Sequence, residues 1–196
     1  VTYPSYDNNQ LVNTFNNSYY NQLLEDTNTP LVNRPLKQKK APGSTFKMIS
    51  AIAGLETGTI TPSTVIADKG IFKDAGTPYA RCWIYSNNGG THGAVNVSHA
   101  LEVSCNYFYE LGYRMGNADN GTTEQSIATL NEYMAGFGLN SVTGIELEEY
   151  GPTMASPYYK ERTIKTYNPD ATSSQTRWTD GDTIRAFIGQ SINSYT

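Results

Sequence analysis

Apolar positions recur at helical spacing most clearly just after a Pro-Gly pair. Phe46, Ile49, Ile52, Ala53 and Glu56 follow an i, i+3, i+4 pattern, broken only by Glu56, which predicts a helix over 48–58. Pro42 and Gly43 disfavour helix ahead of Ser44, and Gly58 suits the position just past the last turn. Ser44 then falls in the first turn of a buried helix, with Lys47 one turn further on and on the same face. Residues 10–24 carry a weaker helical pattern through Leu11, Phe15, Tyr19 and Leu23, closed by Asn28-Thr29-Pro30. Between 64 and 80, Val65-Ile66 and Ile71-Phe72 are cut by Asp, Gly and Pro, which predicts short strands or loops. A helix over 94–103, capped by Asn96 or Ser98, precedes a second over 107–115 stopped by Gly116. Thr122 or Thr123 caps a further helix to about Phe137, with Ile127, Leu130 and Met134 as its apolar face. The polar stretch 156–177 predicts a surface loop, and Trp178-Thr179-Asp180-Gly181-Asp182 opens a last helix containing Ile184, Phe187 and Ile188.

Composition narrows this picture modestly. The 196 residues suffice for one domain with a sizeable core, and a hydrophobic content of 38% with 15 Tyr implies a polar surface around it. A net charge of −4 and a pI near 5.2 argue against nucleic acid as a partner. No stretch reaches the roughly 20 apolar residues of a membrane span, and Val1-Thr2-Tyr3-Pro4 is no signal peptide. Two Cys are too few for a disulfide scaffold.

The chemistry starts at Ser44. A hydroxyl is a poor nucleophile until a base takes its proton, and a buried, neutral Lys amine beside it can do so. Unpaired N–H groups of a helix's first turn can stabilise an oxyanion. A bare S-x-x-K is commonly only a cap followed by a solvated Lys, so its surroundings decide. Here Pro42-Gly43-Ser44-Thr45-Phe46-Lys47 and its apolar helix resemble the active-site serine motif of penicillin-binding proteins, the transpeptidases that cross-link peptidoglycan. Ala100-Leu101-Glu102, leading into Ser104-Cys105-Asn106 between two helices, resembles that family's A-L-x-x-S-x-N junction. Further resemblances lie at Asn33-Arg34, Gly58-Thr59-Ile60-Thr61-Pro62, Phe137-Gly138-Leu139 with Thr143-Gly144-Ile145-Glu146-Leu147, and Ile188-Gly189-Gln190, where Ser191 replaces a Gly.

The resemblance implies an α/β (α+β) fold of the β-lactamase/DD-peptidase kind, an antiparallel sheet flanked by helices on both faces, incomplete here. Residues 1–196 are then a partial transpeptidase domain, with Tyr3-Pro4-Ser5-Tyr6-Asp7 ending a strand whose partners lie upstream. By the resemblance, Ser44 is the nucleophile, Lys47 the base, Ser104 a proton relay and Asn106 the group that hydrogen-bonds the substrate. The substrate implied is a peptidoglycan stem peptide ending in D-Ala-D-Ala, and β-lactams would acylate the same serine. The third family motif, K-[ST]-G, is absent; Lys160, Lys165 and Lys69-Gly70 do not supply it. The expectation is a second chain or fragment bearing that strand, and a parent anchored by an N-terminal helix at the extracytoplasmic face of a bacterial membrane. A β-lactamase, a β-lactam sensor of the same fold, or a non-catalytic domain are the rival readings; Asn106 and the T-G-I segment favour the transpeptidase.

No cofactor is required by this chemistry. Asp74, Cys82, His92 and Cys105 are nevertheless all types that zinc accepts. Three readings stay open for the cysteines: buried thiols packing as small apolar groups, a structural zinc site, or a disulfide.

Overall fold

The computed structural model describes residues 3–117 and 122–196. Its elements run α1 (Asn9–Val12), α2 (Asn17–Glu25), α3 (Arg34–Lys37), a 3-10 turn (Gly43–Phe46) continuing into α4 (Lys47–Glu56), β1 (Ile66–Asp68), β2 (Ile71–Phe72) and β3 (Ala80–Arg81). There follow α5 (Trp83–Asn88), β4 (Gly93–Val95), α6 (Val97–Glu102), α7 (Phe108–Asn117), α8 (Thr123–Gly136), α9 (Pro157–Tyr167), α10 (Ser173–Thr176) and α11 (Asp180–Ala186). The fold is α+β. Its strands pair antiparallel as β1–β4, with Asp68 opposite Gly93, and as β2–β3. Single bridges join Lys40 to Tyr195 and Thr153 to Ser194. Among the described residues no helix is long and apolar enough to cross a membrane. Tyr3 to Asp7 form no strand, and Val1 and Thr2 lie outside the described residues.

Side-chain caps set several helix starts. Asn16 accepts from the Tyr19 N–H at 3.1 Å, Asn96 from His99 at 2.9 Å, and Ser156 from Tyr159 at 3.3 Å. Thr172 with Gln175, and Thr179 with Asp182, form reciprocal capping boxes. The Thr172 box and Ser156 explain why 156–177 is not the loop its polarity suggested: α9 and α10 are surface helices, polar but well capped. The 10–24 pattern is likewise split, into α1 and α2. Residues 94 and 95 belong to β4, so the following helix starts only after Asn96.

The core gathers Phe46, Phe108, Leu111, Ile127, Leu130, Met134, Ile184 and Phe187, where α4, α7, α8 and α11 meet. Around α4 the buried face differs from the apolar stripe. Lys47, Ser50, Ala51 and Gly54 are buried, at i, i+3, i+4 and i+7, whereas Ile52 is 37% exposed. Close approach favours small residues there. A Cβ on Gly54 would lie 2.8 Å from Leu111, and Ser50 Oγ donates to the Phe187 carbonyl at 2.7 Å. Gly116 has a related role: it does not stop α7 but lies inside it, where a Cβ would meet the Thr122 carbonyl at 2.5 Å.

At Ser191, where the resembled family has Gly, the backbone takes φ +67. A left-handed conformation is costly for a residue with a Cβ. Ser191→Gly is therefore expected to stabilise the chain by about 0.5–1 kcal/mol, read as a higher urea midpoint at unchanged slope.

Candidate active site and side-chain cluster

Ser44 lies exposed in the 3-10 turn ahead of α4. That turn is held from outside its own segment. Gly43 takes φ +60, and its N–H donates to the Gly189 carbonyl at 2.9 Å. Gly189 itself, at φ +72, approaches so closely that a Cβ would lie 2.1 Å from the Gly43 carbonyl oxygen and 2.6 Å from Phe46 Cβ. The Ile188-Gly189-Gln190 segment is thus the backstop of the serine turn.

Lys47 begins α4 and is only 1% exposed. Its Nζ donates to the Ser104 carbonyl at 2.7 Å, to Asn106 Oδ1 at 2.9 Å and to Ser104 Oγ at 3.2 Å. Burial pushes this amine down to about 8, against the opposing pull of the nearby Cys105 and Cys82 thiols. The structure therefore brings Lys47, Ser104 and Asn106 together, with Ser44 on the turn that leads directly into Lys47.

The Ser104 corner is an irregular junction between α6 and α7. Ser104 takes φ +50, which turns the chain so that its carbonyl and the Asn106 side chain converge on Lys47. Asn106 Nδ2 donates to the Arg81 carbonyl at 3.1 Å and to Tyr109 Oη at 3.3 Å, which fixes its amide with Oδ1 towards the amine. Burial raises the Tyr109 phenol to about 12, so it stays protonated, accepting from Asn106 and donating to the Arg81 carbonyl at 3.5 Å. Sequence reasoning missed Tyr109; its i+3 spacing from Asn106, straddling the start of α7, was the available signal.

Behind this corner lies a second cluster. Ligand-type atoms of Asp68, Cys82, His92 and Cys105 all fall within 4.8 Å of one another. The structure brings Cys82, His92 and Cys105 together with Asp68, and leaves Asp74 apart from them. Asp74 sits exposed just past β2, whereas Asp68 ends β1 and the β1–β4 register carries it beside His92. The clue was an Asp at a strand end before Lys69-Gly70, where Asp68 Oδ1 accepts from the Gly70 N–H at 2.8 Å. Asp68 Oδ2 accepts from the His92 N–H at 3.0 Å, faces His92 Nδ1 at 2.9 Å and accepts from Cys105 Sγ at 3.5 Å. Burial would raise the Asp68 carboxyl, but hydrogen bonds from the His92 and Gly70 backbone hold it below its ordinary value. Cys82 Sγ lies 3.4 Å from His92 Nδ1 and accepts from the Asn106 N–H at 3.4 Å. A hydrogen bond from Cys105 draws the Cys82 thiol down to about 6, and the same bond, with burial, raises Cys105.

Two thiols, an imidazole and a carboxylate are a complete donor set for tetrahedral zinc, and these four already converge. The residues fit a closed, four-ligand site of the structural kind, with no position open for a reacting water.

Solved structures with the same fold define the class: a penicillin-binding-protein transpeptidase domain. Pseudomonas aeruginosa PBP2 in complex with WCK 5153 superposes with TM-score 0.79 at 29% identity, covering 100% of this chain and 38% of that one. Helicobacter pylori PBP2 gives TM-score 0.79 at 26% identity, covering 100% of this chain and 33% of that one. The family model described as "Penicillin binding protein transpeptidase domain" matches residues 1–193, and the chain belongs to that family. It is 36% identical over 193 residues to the peptidoglycan D,D-transpeptidase MrdA of Escherichia coli K12. That alignment covers 97% of this chain, which spans 27% of the length of this relative.

Proposed function

We propose that this chain is the serine-bearing part of a peptidoglycan D,D-transpeptidase. One observation carries the reading: a buried Lys47 amine, its proton affinity lowered by burial, joins the Ser104-Asn106 corner one turn on from Ser44. Neutral Lys47 removes the Ser44 proton as the hydroxyl oxygen attacks the carbonyl of the penultimate D-Ala. The peptide C–N bond breaks, and Ser104 Oγ, 3.2 Å from Lys47 Nζ, relays that proton to the departing D-Ala amine. An amine from a neighbouring strand then attacks the ester and restores the hydroxyl. A β-lactam acylates Ser44 in the same way, its ring opening in place of the lost D-Ala. Asn106 orients the substrate amide from a position fixed by Lys47, Arg81 and Tyr109.

Residues 1–196 hold no K-[ST]-G triplet, and the strand that bears it completes the substrate groove from outside these residues. Intact-mass analysis of active material finding no such segment would exclude this. The parent works at the extracytoplasmic face of a bacterial membrane, where its substrate lies. With the completing segment present, a peptide ending in D-Ala-D-Ala is expected to exchange its last residue for an added D-amino acid. Penicillin turnover within seconds would instead identify a β-lactamase, and a lasting adduct without exchange a sensor.

Asp68, Cys82, His92 and Cys105 hold a structural zinc ion, which supplies no chemistry to the reaction and ties β1, the start of α5 and the Ser104-Asn106 corner together. Elemental analysis of chain purified without chelator should find one zinc per chain. Asp68→Asn should weaken binding by more than the roughly 10–100-fold that losing a mere outer-shell partner costs, while Asp74→Asn leaves it unchanged. Equal loss in both variants would refute the assignment.

A further inference from the structure

Cys105 occupies the middle of the Ser104-Cys105-Asn106 corner, and acyl transfer leaves its thiol without a task. Cys82 and Cys105 are both free, and their sulfur atoms lie within 4.8 Å of each other. They belong to segments 23 residues apart in sequence, Cys82 at the start of α5 and Cys105 at the α6–α7 junction. The pair reaches the outside through one partner. Cys105 is fully buried, and Cys82, itself only 3% exposed, lines a cavity of about 670 Å³ whose walls also include Asp68, Tyr85 and Asn106.

We propose that Cys82 and Cys105 form a reversible redox site, closing to a disulfide whenever no metal holds them, and that this disulfide locks the catalytic corner. The oxidant is a small disulfide, or an oxidoreductase disulfide, reaching Cys82 through the cavity. The Cys82 thiolate attacks one oxidant sulfur, forming a mixed disulfide and releasing the first thiol. Cys105 Sγ then attacks Cys82 Sγ and expels the second thiolate, which takes up the Cys105 proton by way of Asp68 Oδ2, faced at 3.5 Å. Two protein thiols are oxidised and one disulfide is reduced to two thiols, so electrons and atoms balance.

The consequence falls on Asn106. Its N–H donates to Cys82 Sγ at 3.4 Å, and its Oδ1 accepts from Lys47. A covalent S–S link, at about 2.05 Å, is shorter than the van der Waals separation of two unbonded sulfurs, so closure draws Cys105 towards Cys82. Ser104 and Asn106, on either side, must follow, and Ser104 is already in a left-handed conformation. Metal and disulfide are mutually exclusive because both need the same two sulfurs. The thiol chemistry stands whether or not zinc is the ligand; only the protection arm rests on the metal reading.

The test is oxidation of the native, metal-free chain by oxidised glutathione, followed by mass mapping and thiol counting. The expected product is a Cys82–Cys105 disulfide with both thiols lost, restored by dithiothreitol. The ratio of this product to glutathione adducts should exceed that in urea-unfolded chain at least tenfold, because folding brings the thiols together. Cys105→Ser should stop at a stable glutathione adduct on Cys82. Survival of both thiols in the folded metal-free chain, or a ratio no higher than in urea, overturns the proposal. Saturating zinc should slow the reaction at least tenfold. Disulfide formation undiminished by zinc would refute the metal site and leave the redox site intact.

Discussion

Lys47→Met is expected to lower the rate at which a β-lactam acylates Ser44 by about 10²–10⁴-fold, the usual worth of a positioned general base. Methionine fills a similar volume, so the helix that carries Ser44 stays packed while the base disappears. The pH dependence follows from the same group. An amine held at about 8 is roughly one-tenth neutral at pH 7, so acylation should rise nearly tenfold per pH unit below 8 and level off above it. In Lys47→Met that rise should vanish. Stability carries a matching signature. Between about 8 and 10.5 the unfolded chain binds more protons at Lys47 than the folded one, so the native chain gains stability as pH rises through that window. Below pH 8 the cost of burying the ammonium is fully present. Urea midpoints measured across that window for the native and Met chains would show the slope in the first and its loss in the second.

Gly189→Ala is expected to be among the most damaging single substitutions, costing about 3–5 kcal/mol. Two effects add. The backbone at φ +72 resists any Cβ, and the new methyl would sit 2.1 Å from the Gly43 carbonyl oxygen, inside contact distance. Relief requires Gly43 to move, which breaks its 2.9 Å hydrogen bond to Gly189 and shifts the Ser44 turn. Gly58→Ala is the control. It shares a positive φ of +69 but has open space around it, so only the backbone penalty of about 1 kcal/mol applies. Equal midpoints for the two variants would mean that Gly189 is not the backstop of the serine turn.

The contrast between those glycines shows what a sequence discloses and what it withholds. The helix after Ser44 was legible because Pro42, Gly43 and Gly58 punctuate it and apolar residues recur inside it. Its buried face was not, since Lys47, Ser50 and Gly54 face the tightest contacts while Ile52 is pushed half into solvent. Periodicity reads apolar character, and here close approach and chemistry outweigh it. The Ser104-Cys105-Asn106 corner was found from its place between two helices, but Tyr109, which orients Asn106, carries no motif. Cys82, His92 and Cys105 were recognisable as ligand types. Asp68 needed the β1–β4 register, a pairing between residues 25 apart that composition does not encode. Residues 156–177 misled for the opposite reason, because polar helices held by Ser156, Thr172 and their partners look like loop when only apolar runs are counted.

Everything rests on a buried amine turning one hydroxyl into a nucleophile. The most direct test is to react the protein with a fluorescent penicillin across pH 6 to 10 and map the adduct by mass spectrometry. A single adduct on Ser44, forming faster with pH up to about 8 and absent in Ser44→Ala, is the predicted result. Undiminished labelling in Ser44→Ala, or a rate indifferent to pH, would contradict it.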